Sequence, residues 1–123
     1  MEVTAAIIRA GNKILLMRRA QGHNFAGGWE YPGGKVEPNE TGQECIQREL
    51  LEELGIVANI GPLIATYLDS KMRLRAYLVT SYSGSITLSV HDAMHWVEIS
   101  QLLDHDQLPA DREVSKQVLE KLI

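Results

Sequence analysis

Residues 34–56 read GKVEPNETGQECIQRELLEELGI, and this stretch decides the fold. Thr41 followed by Glu44 is a capping-box pair, in which each side chain satisfies the other's backbone N–H at a helix start. Ile46, Leu50, Leu51 and Leu54 recur at helical spacing and form an apolar stripe. Gly55 supplies the stop, because it enters the left-handed region without a Cβ clash. The same helix carries Glu49, Glu52 and Glu53 at i, i+3 and i+4, within roughly a 100° arc of one face. Glu40 stands just before the cap. Like charges at these spacings repel by a few tenths of a kcal/mol each. A hard divalent cation, which prefers carboxylate oxygens, reverses that sign. A glutamate-rich helix face is ordinarily solvated surface; the residues around this one argue for more.

The chain has 123 residues, 45% hydrophobic and 23% charged, as expected of one soluble globular domain with a core of useful size. Its net charge is −4 and its pI about 5.5, which disfavours polymeric nucleic acid as a partner. A nucleotide remains compatible, since a bound metal inverts the local sign. Cys45 is the sole cysteine, so an intrachain disulfide and a cysteine-built metal site are excluded. It reads as a small, partly buried helix residue, with no evident partner to activate a thiol. The start, MEVTAAII, lacks a basic region and a long apolar one, and no run approaches the roughly 18 apolar residues of a membrane span. A cytoplasmic monomer with no membrane partner is expected.

Residues 3–9 and 13–18 are apolar runs joined by Gly11-Asn12, predicting a β-hairpin. Residues 21–28 form a polar, glycine-bearing loop suited to a mobile rim, with His23 exposed on it. Residues 56–68 are strand-like but broken by Gly61-Pro62. Asp69-Ser70-Lys71 reads as a turn into a strand at 74–82, and Ser83-Gly84-Ser85 as another turn. Residues 86–90 alternate like a half-buried strand, and 94–99 form a further strand around Trp96. Ser100 opens a short helix. Val114, Val118, Leu119 and Leu122 predict a closing helix, with Asp111 a candidate cap.

The central stretch has the spacing G-x5-E-x7-R-E-L-x-E-E-x-G-I, filled by Gly34, Glu40, Arg48, Glu49, Leu50, Glu52, Glu53, Gly55 and Ile56. It resembles the signature of the Nudix hydrolases, at nine fixed positions over 23 residues. GWEYPGGKVEP ahead of it and LPAD near the end look like the MutT-like branch, which hydrolyses nucleoside triphosphates. The resemblance implies an α/β/α sandwich: a mixed β-sheet, the signature loop–helix–loop and a C-terminal helix, over a single domain spanning 1–123.

It also implies roles. Magnesium, with manganese as a substitute, would be held by Glu49, Glu52 and Glu53, by the carbonyl of Gly33, and by Glu40 as an outer or additional ligand. Arg48 would orient carboxylates by ion pairing, and its positive charge would hold their pKa values down. Glu49, Glu52, Glu53 and Arg48 make up the catalytic set. The water-activating base is open among Glu52, Asp92 and His95, with Glu52 favoured, because residues 90–96 lack the glutamate some relatives carry there. His91 and His95 read equally well as ordinary polar residues near a strand.

Arg19, Tyr31, Lys35 and Asp111 form the implied substrate-binding set. A guanidinium suits phosphate or a base edge, and Tyr31 either flanks the base or is a core aromatic. Asp111 sits where MutT-like proteins read the base edge. An ionised Asp accepts only, favouring the amine of cytosine or the N1/N2 edge of a guanine, including 8-oxoguanine. The expected reaction is hydrolysis of a nucleoside triphosphate to NMP and pyrophosphate. The alternatives are another Nudix substrate such as ADP-ribose or a dinucleoside polyphosphate, a non-catalytic nucleotide-binding module, and an interaction domain with an incidental acidic helix.

Overall fold

The computed structural model describes residues 1–20 and 28–122. The predicted rim loop and His23 therefore fall almost wholly outside the described residues. Seven strands are present among those described: β1 (Glu2–Ala10), β2 (Lys13–Arg19), β3 (Trp29–Glu30), β4 (Gly33–Lys35), β5 (Val57–Leu68), β6 (Arg73–Ser83) and β7 (His91–Glu98). Helix α1 (Gly42–Leu54) precedes β5, a 3-10 helix covers Ile99–Asp104, and α2 (Pro109–Leu122) ends the chain.

The sheet runs β3-β2-β1-β6-β5, with β4 paired to β1 and β7 to β2. β1 and β6 are parallel and the other pairings antiparallel, so the sheet is mixed. β1 explains why. Its side chains alternate between faces, and both faces are apolar. Ala5 and Ile7 join Val114 and Val118 of α2 in one core, while Ala6 and Ile8 join Ile46, Leu50 and Leu54 of α1 in the other. A strand covered on both sides reads as a continuous apolar run, as residues 5–8 do. The result is the expected α/β/α sandwich.

Helix α1 begins and ends where its sequence directs. Thr41 and Glu44 form the reciprocal capping box, and Gly55 closes it at φ 71°. The stripe is narrower than predicted: Ile46, Leu50 and Leu54 are buried, while Leu51 points to solvent. Elsewhere β5 runs through Gly61-Pro62, which it absorbs as register shifts on the edge of the sheet, where a missing N–H costs least. Residues 86–90 are not a strand. Thr87 donates its N–H to the carbonyl of Leu54 (2.9 Å), and the Ser89 hydroxyl donates to Glu53 (3.0 Å). The segment thus caps the last carbonyls of α1, which lack partners inside the helix. Ser100 lies within the 3-10 helix, whose cap position is Glu98. Nor does Asp111 cap α2: that helix starts at Pro109, a favoured first residue, and Asp111 lies in its first turn.

Candidate active site

A cavity of about 760 Å3 opens between β1, β4, the β5–β6 turn and the start of α2. Arg19, Glu30, Tyr31, Gly33, Gly34, Lys35, Glu53, His91 and Asp111 all line it. The predicted substrate set therefore meets Gly33 and one signature acid in a single space.

Three adjacent strands build its deep end. A register shift between Arg18 and Arg19 of β2 brings Arg19 opposite His91 of β7. β3 presents Glu30 on the other side of β2. Irregularities of this kind re-aim side chains. Here Arg19 donates to Glu30 Oε1 at 2.5 Å, and His91 Nε2 lies 2.7 Å from Glu30 Oε2. Both partners on Glu30 are favourable to its charge and hold its carboxyl below the usual value despite burial. His91 Nδ1 faces Glu53 Oε2 at 4.0 Å. The run GWEYPGGKVEP contains Glu30 but gave it no role, and His91 read as an ordinary polar residue near a strand; nothing in the sequence joined the two. They are 61 residues apart, and only strand pairing joins them.

Helix α1 delivers the acids against β4. Gly33 and Gly34 are needed there for space. A Cβ on Gly34 would lie 2.5 Å from the Glu49 carboxyl, and one on Gly33 would strike the carbonyl of Thr4. Glu49 and Glu53 sit side by side, and a backbone hydrogen bond from Gly33 reaches Glu53. Burial first, and then the Glu49 charge, push the Glu53 carboxyl up to about 8. This reverses the expectation that Arg48 holds the signature acids down. Arg48 does so for Glu40, held at about 2 by hydrogen bonds from the guanidinium and from the backbone of Glu37. The guanidinium contacts Glu40 at 2.7 and 3.0 Å, Glu49 at 2.9 Å, Glu52 at 3.3 Å and the carbonyl of Lys35 at 3.0 Å. It pins the loop ahead of the helix to the acidic face.

The remaining candidates separate. Glu52 is more than half exposed and held by Arg48, on the solvent side of Glu53. Asp92 is paired with Arg18 at 2.8 Å. His95 shares a hydrogen bond with His105 (3.2 Å) beside Trp29. None of these three possible bases lines the cavity; β7 reaches it through His91 instead. The ring of Tyr31 packs in the α2 core, its hydroxyl 2.5 Å from Ser115 Oγ, and the residue also lines the cavity. Its N–H donates to Asp111 Oδ1 at 3.1 Å. Asp111 is buried, which lifts its carboxyl to about 7. Cys45 is fully buried, 3.1 Å from Thr4 Oγ1, and its thiol is pushed up by that burial, as suits a packing residue.

The NUDIX domain model matches residues 1–121. The chain belongs to the Nudix hydrolase family. This Nudix hydrolase is 38% identical to the CTP pyrophosphohydrolase of Escherichia coli K12 over 115 residues, 90% of this chain and 85% of that one. It is 41% identical to the putative 8-oxo-dGTP diphosphatase 2 of Mycobacterium tuberculosis, over 89% of this chain and 81% of the relative. In three dimensions it is similar to the solution structure of the E. coli ORF135 protein (TM-score 0.89, 36% identity, 97% and 88% of the two chains). It is also similar to a structure described for MutT from Aliivibrio salmonicida and Vibrio cholerae (TM-score 0.85, 28% identity, 98% and 97%).

Nudix hydrolases generally use divalent metal ions, and the Nudix site has the chemistry for one. Among the described residues no three His, Cys, Asp or Glu side chains converge into a finished ligand set. Yet Glu49 and Glu53 are packed together, and Glu53 Oε1 is buried without a hydrogen-bond partner. Two adjacent carboxylates with dehydrated, unused oxygen are what a cation would complete. No helix among the described residues is long and apolar enough to cross a membrane.

Proposed function

We propose that this Nudix hydrolase converts a pyrimidine nucleoside triphosphate, CTP or dCTP, to the monophosphate and pyrophosphate, with magnesium as the natural ion and manganese as a substitute. The carrying observation is Asp111: a buried carboxyl that lines the cavity and is oriented by the N–H of Tyr31, where an ionised carboxylate would accept the exocyclic amine of cytosine. The likeness to a relative named CTP pyrophosphohydrolase supports the same substrate.

Glu53, Glu49 and the carbonyl of Gly33 would hold the ion, with Glu40 kept ionised outside them by Arg48. Glu52 joins this set only by turning away from Arg48. When bound, the ion neutralises phosphate charge and sharpens the attacking water. Arg19 and Lys35 line the cavity and supply positive charge for the phosphates. The protein acts as a cytoplasmic monomer in a single domain, without polymeric nucleic acid or a membrane as partner; its negative net charge favours small nucleotides held through a cation.

A second reading has its own support. With its carboxyl lifted to about 7, Asp111 is partly protonated near neutrality and donates as well as accepts. That admits the mixed edge of 8-oxoguanine, in line with the relative named a putative 8-oxo-dGTP diphosphatase. Comparing kcat/KM for CTP, dCTP, 8-oxo-dGTP, dGTP, ATP and ADP-ribose tests both. Preference for the cytosine nucleotides is expected; preference for 8-oxo-dGTP selects the second reading, and preference for ADP-ribose rejects both.

A further inference from the structure

We infer that His91 provides a nitrogen ligand to the metal site, one that lies outside the glutamate signature and adds affinity for first-row transition ions beyond what an all-carboxylate shell gives. This rests on the reading above that Glu53 helps to hold a divalent ion.

The His91 side chain is only 2% exposed. Its Nε2 faces Glu30 Oε2 at 2.7 Å, and Glu30 is itself fixed by Arg19. A carboxylate accepts there, so Nε2 carries the proton and the lone pair of the neutral ring falls on Nδ1. That atom is buried and has no hydrogen-bond partner, and the same holds for Glu53 Oε1. Across from Nδ1 stands Glu53 Oε2, 4.0 Å away. This is beyond hydrogen-bond reach, so the Nδ1 lone pair faces the Glu53 carboxyl with no donor between them. Leaving buried groups such as His91 Nδ1 and Glu53 Oε1 unpaired is costly. A divalent ion seated between them would take His91 Nδ1 and the Glu53 carboxylate as ligands. A carboxylate that fixes the tautomer and aim of a histidine is also the usual support behind a metal-bound imidazole. Glu30, His91 and Glu53 lie in that order, and both His91 and Glu53 line the cavity. Magnesium prefers an all-oxygen shell, whereas imidazole suits the later first-row ions. A histidine beside the carboxylates therefore widens the site's range from magnesium to manganese and the later first-row ions.

Manganese alone, without nucleotide, is the probe. Pulsed EPR of Mn2+ bound to the protein should show modulation from a directly coordinated 14N, changing to the 15N pattern when the protein is labelled with [15N]histidine. In His91→Gln that modulation should vanish while Mn2+ still binds, about tenfold more weakly; His95→Gln should retain it. The labelling experiment uses the unaltered sequence, so its result stands even if His91→Gln does not fold. Bound Mn2+ without nitrogen modulation in the unaltered protein overturns the assignment of His91 and leaves the carboxylate site intact. Failure of Mn2+ to bind at all overturns the metal reading itself, and this inference with it.

Discussion

Arg48 grips both oxygens of Glu40, Nε at 2.7 Å and Nη2 at 3.0 Å, across the loop that enters the signature helix. From the same guanidinium it reaches Glu49 and the carbonyl of Lys35. A planar fork makes these contacts together; an ammonium cannot. Arg48→Lys should therefore fold normally yet lose about tenfold in kcat/KM, and Arg48→Ala more, in the range seen when groups that orient metal ligands are removed. Equal activity of Arg48→Lys and the unaltered protein in steady-state assays would show that the fork is dispensable.

Gly33 and Gly34 are adjacent but serve different ends. Gly33 has φ 156° and no room for a Cβ beside the backbone of Thr4, so Gly33→Ala must distort the β1–β4 pairing. A loss of about 2 kcal/mol or more in denaturant unfolding is expected. At Gly34 the obstacle is the movable end of Glu49. Gly34→Ala should keep most of its stability but misplace that carboxylate, lowering kcat more than Tm. The reverse ranking would contradict the packing described.

Glu53 is buried beside Glu49, and its carboxyl is pushed up by burial and by that neighbouring charge. Glu53→Gln removes the repulsion while keeping the shape. Without metal the variant should melt at the same temperature or higher, yet turn over at least about a hundredfold more slowly with saturating magnesium, since a neutral amide replaces an anionic ligand. Unchanged turnover would remove Glu53 from the metal site.

Asp111 gives a pH dependence with a definite sign. Its carboxyl titrates near 7 when folded, against the ordinary 3.8, because burial disfavours the charge. The folded form then holds a proton that the unfolded chain has released. This contribution to stability is complete below 3.8, declines as pH rises, and is fully lost above about 7. Asp111→Asn cannot ionise. Between pH 5 and 7 the unaltered protein should lose on the order of 2 kcal/mol more than the variant in urea unfolding. Parallel pH profiles would mean that Asp111 is ionised throughout.

How far the chain could be read depended on the distance over which each feature is encoded. The cap at Thr41, the stripe through Ile46, Leu50 and Leu54, and the stop at Gly55 obey local rules, so helix α1 was legible to its ends. Leu51 shared the hydropathy of its neighbours but faces solvent, a difference of one helical step. Residues 86–90 alternate like a strand, but the open carbonyls at the end of α1 claim their donors instead. The signature acids and Gly34 came from the signature, and Gly33 from the run just ahead of it. The Glu30–His91 pair had no such marker: it arises from the bulge at Arg18/Arg19 and the pairing of β2 with both β3 and β7. Burial also inverted one electrostatic expectation. Arg48 lowers Glu40 at the helix entrance, while desolvation and Glu49 dominate at Glu53.

The most direct test follows the phosphorus. With magnesium and CTP, and separately 8-oxo-dGTP, 31P NMR of the reaction should show the triphosphate signals replaced by one nucleoside monophosphate and pyrophosphate in equal amounts. Release of orthophosphate with a nucleoside diphosphate, or no consumption of either triphosphate under conditions where Mn2+ or Mg2+ binds, would contradict the assignment of this site to nucleoside triphosphate pyrophosphohydrolysis.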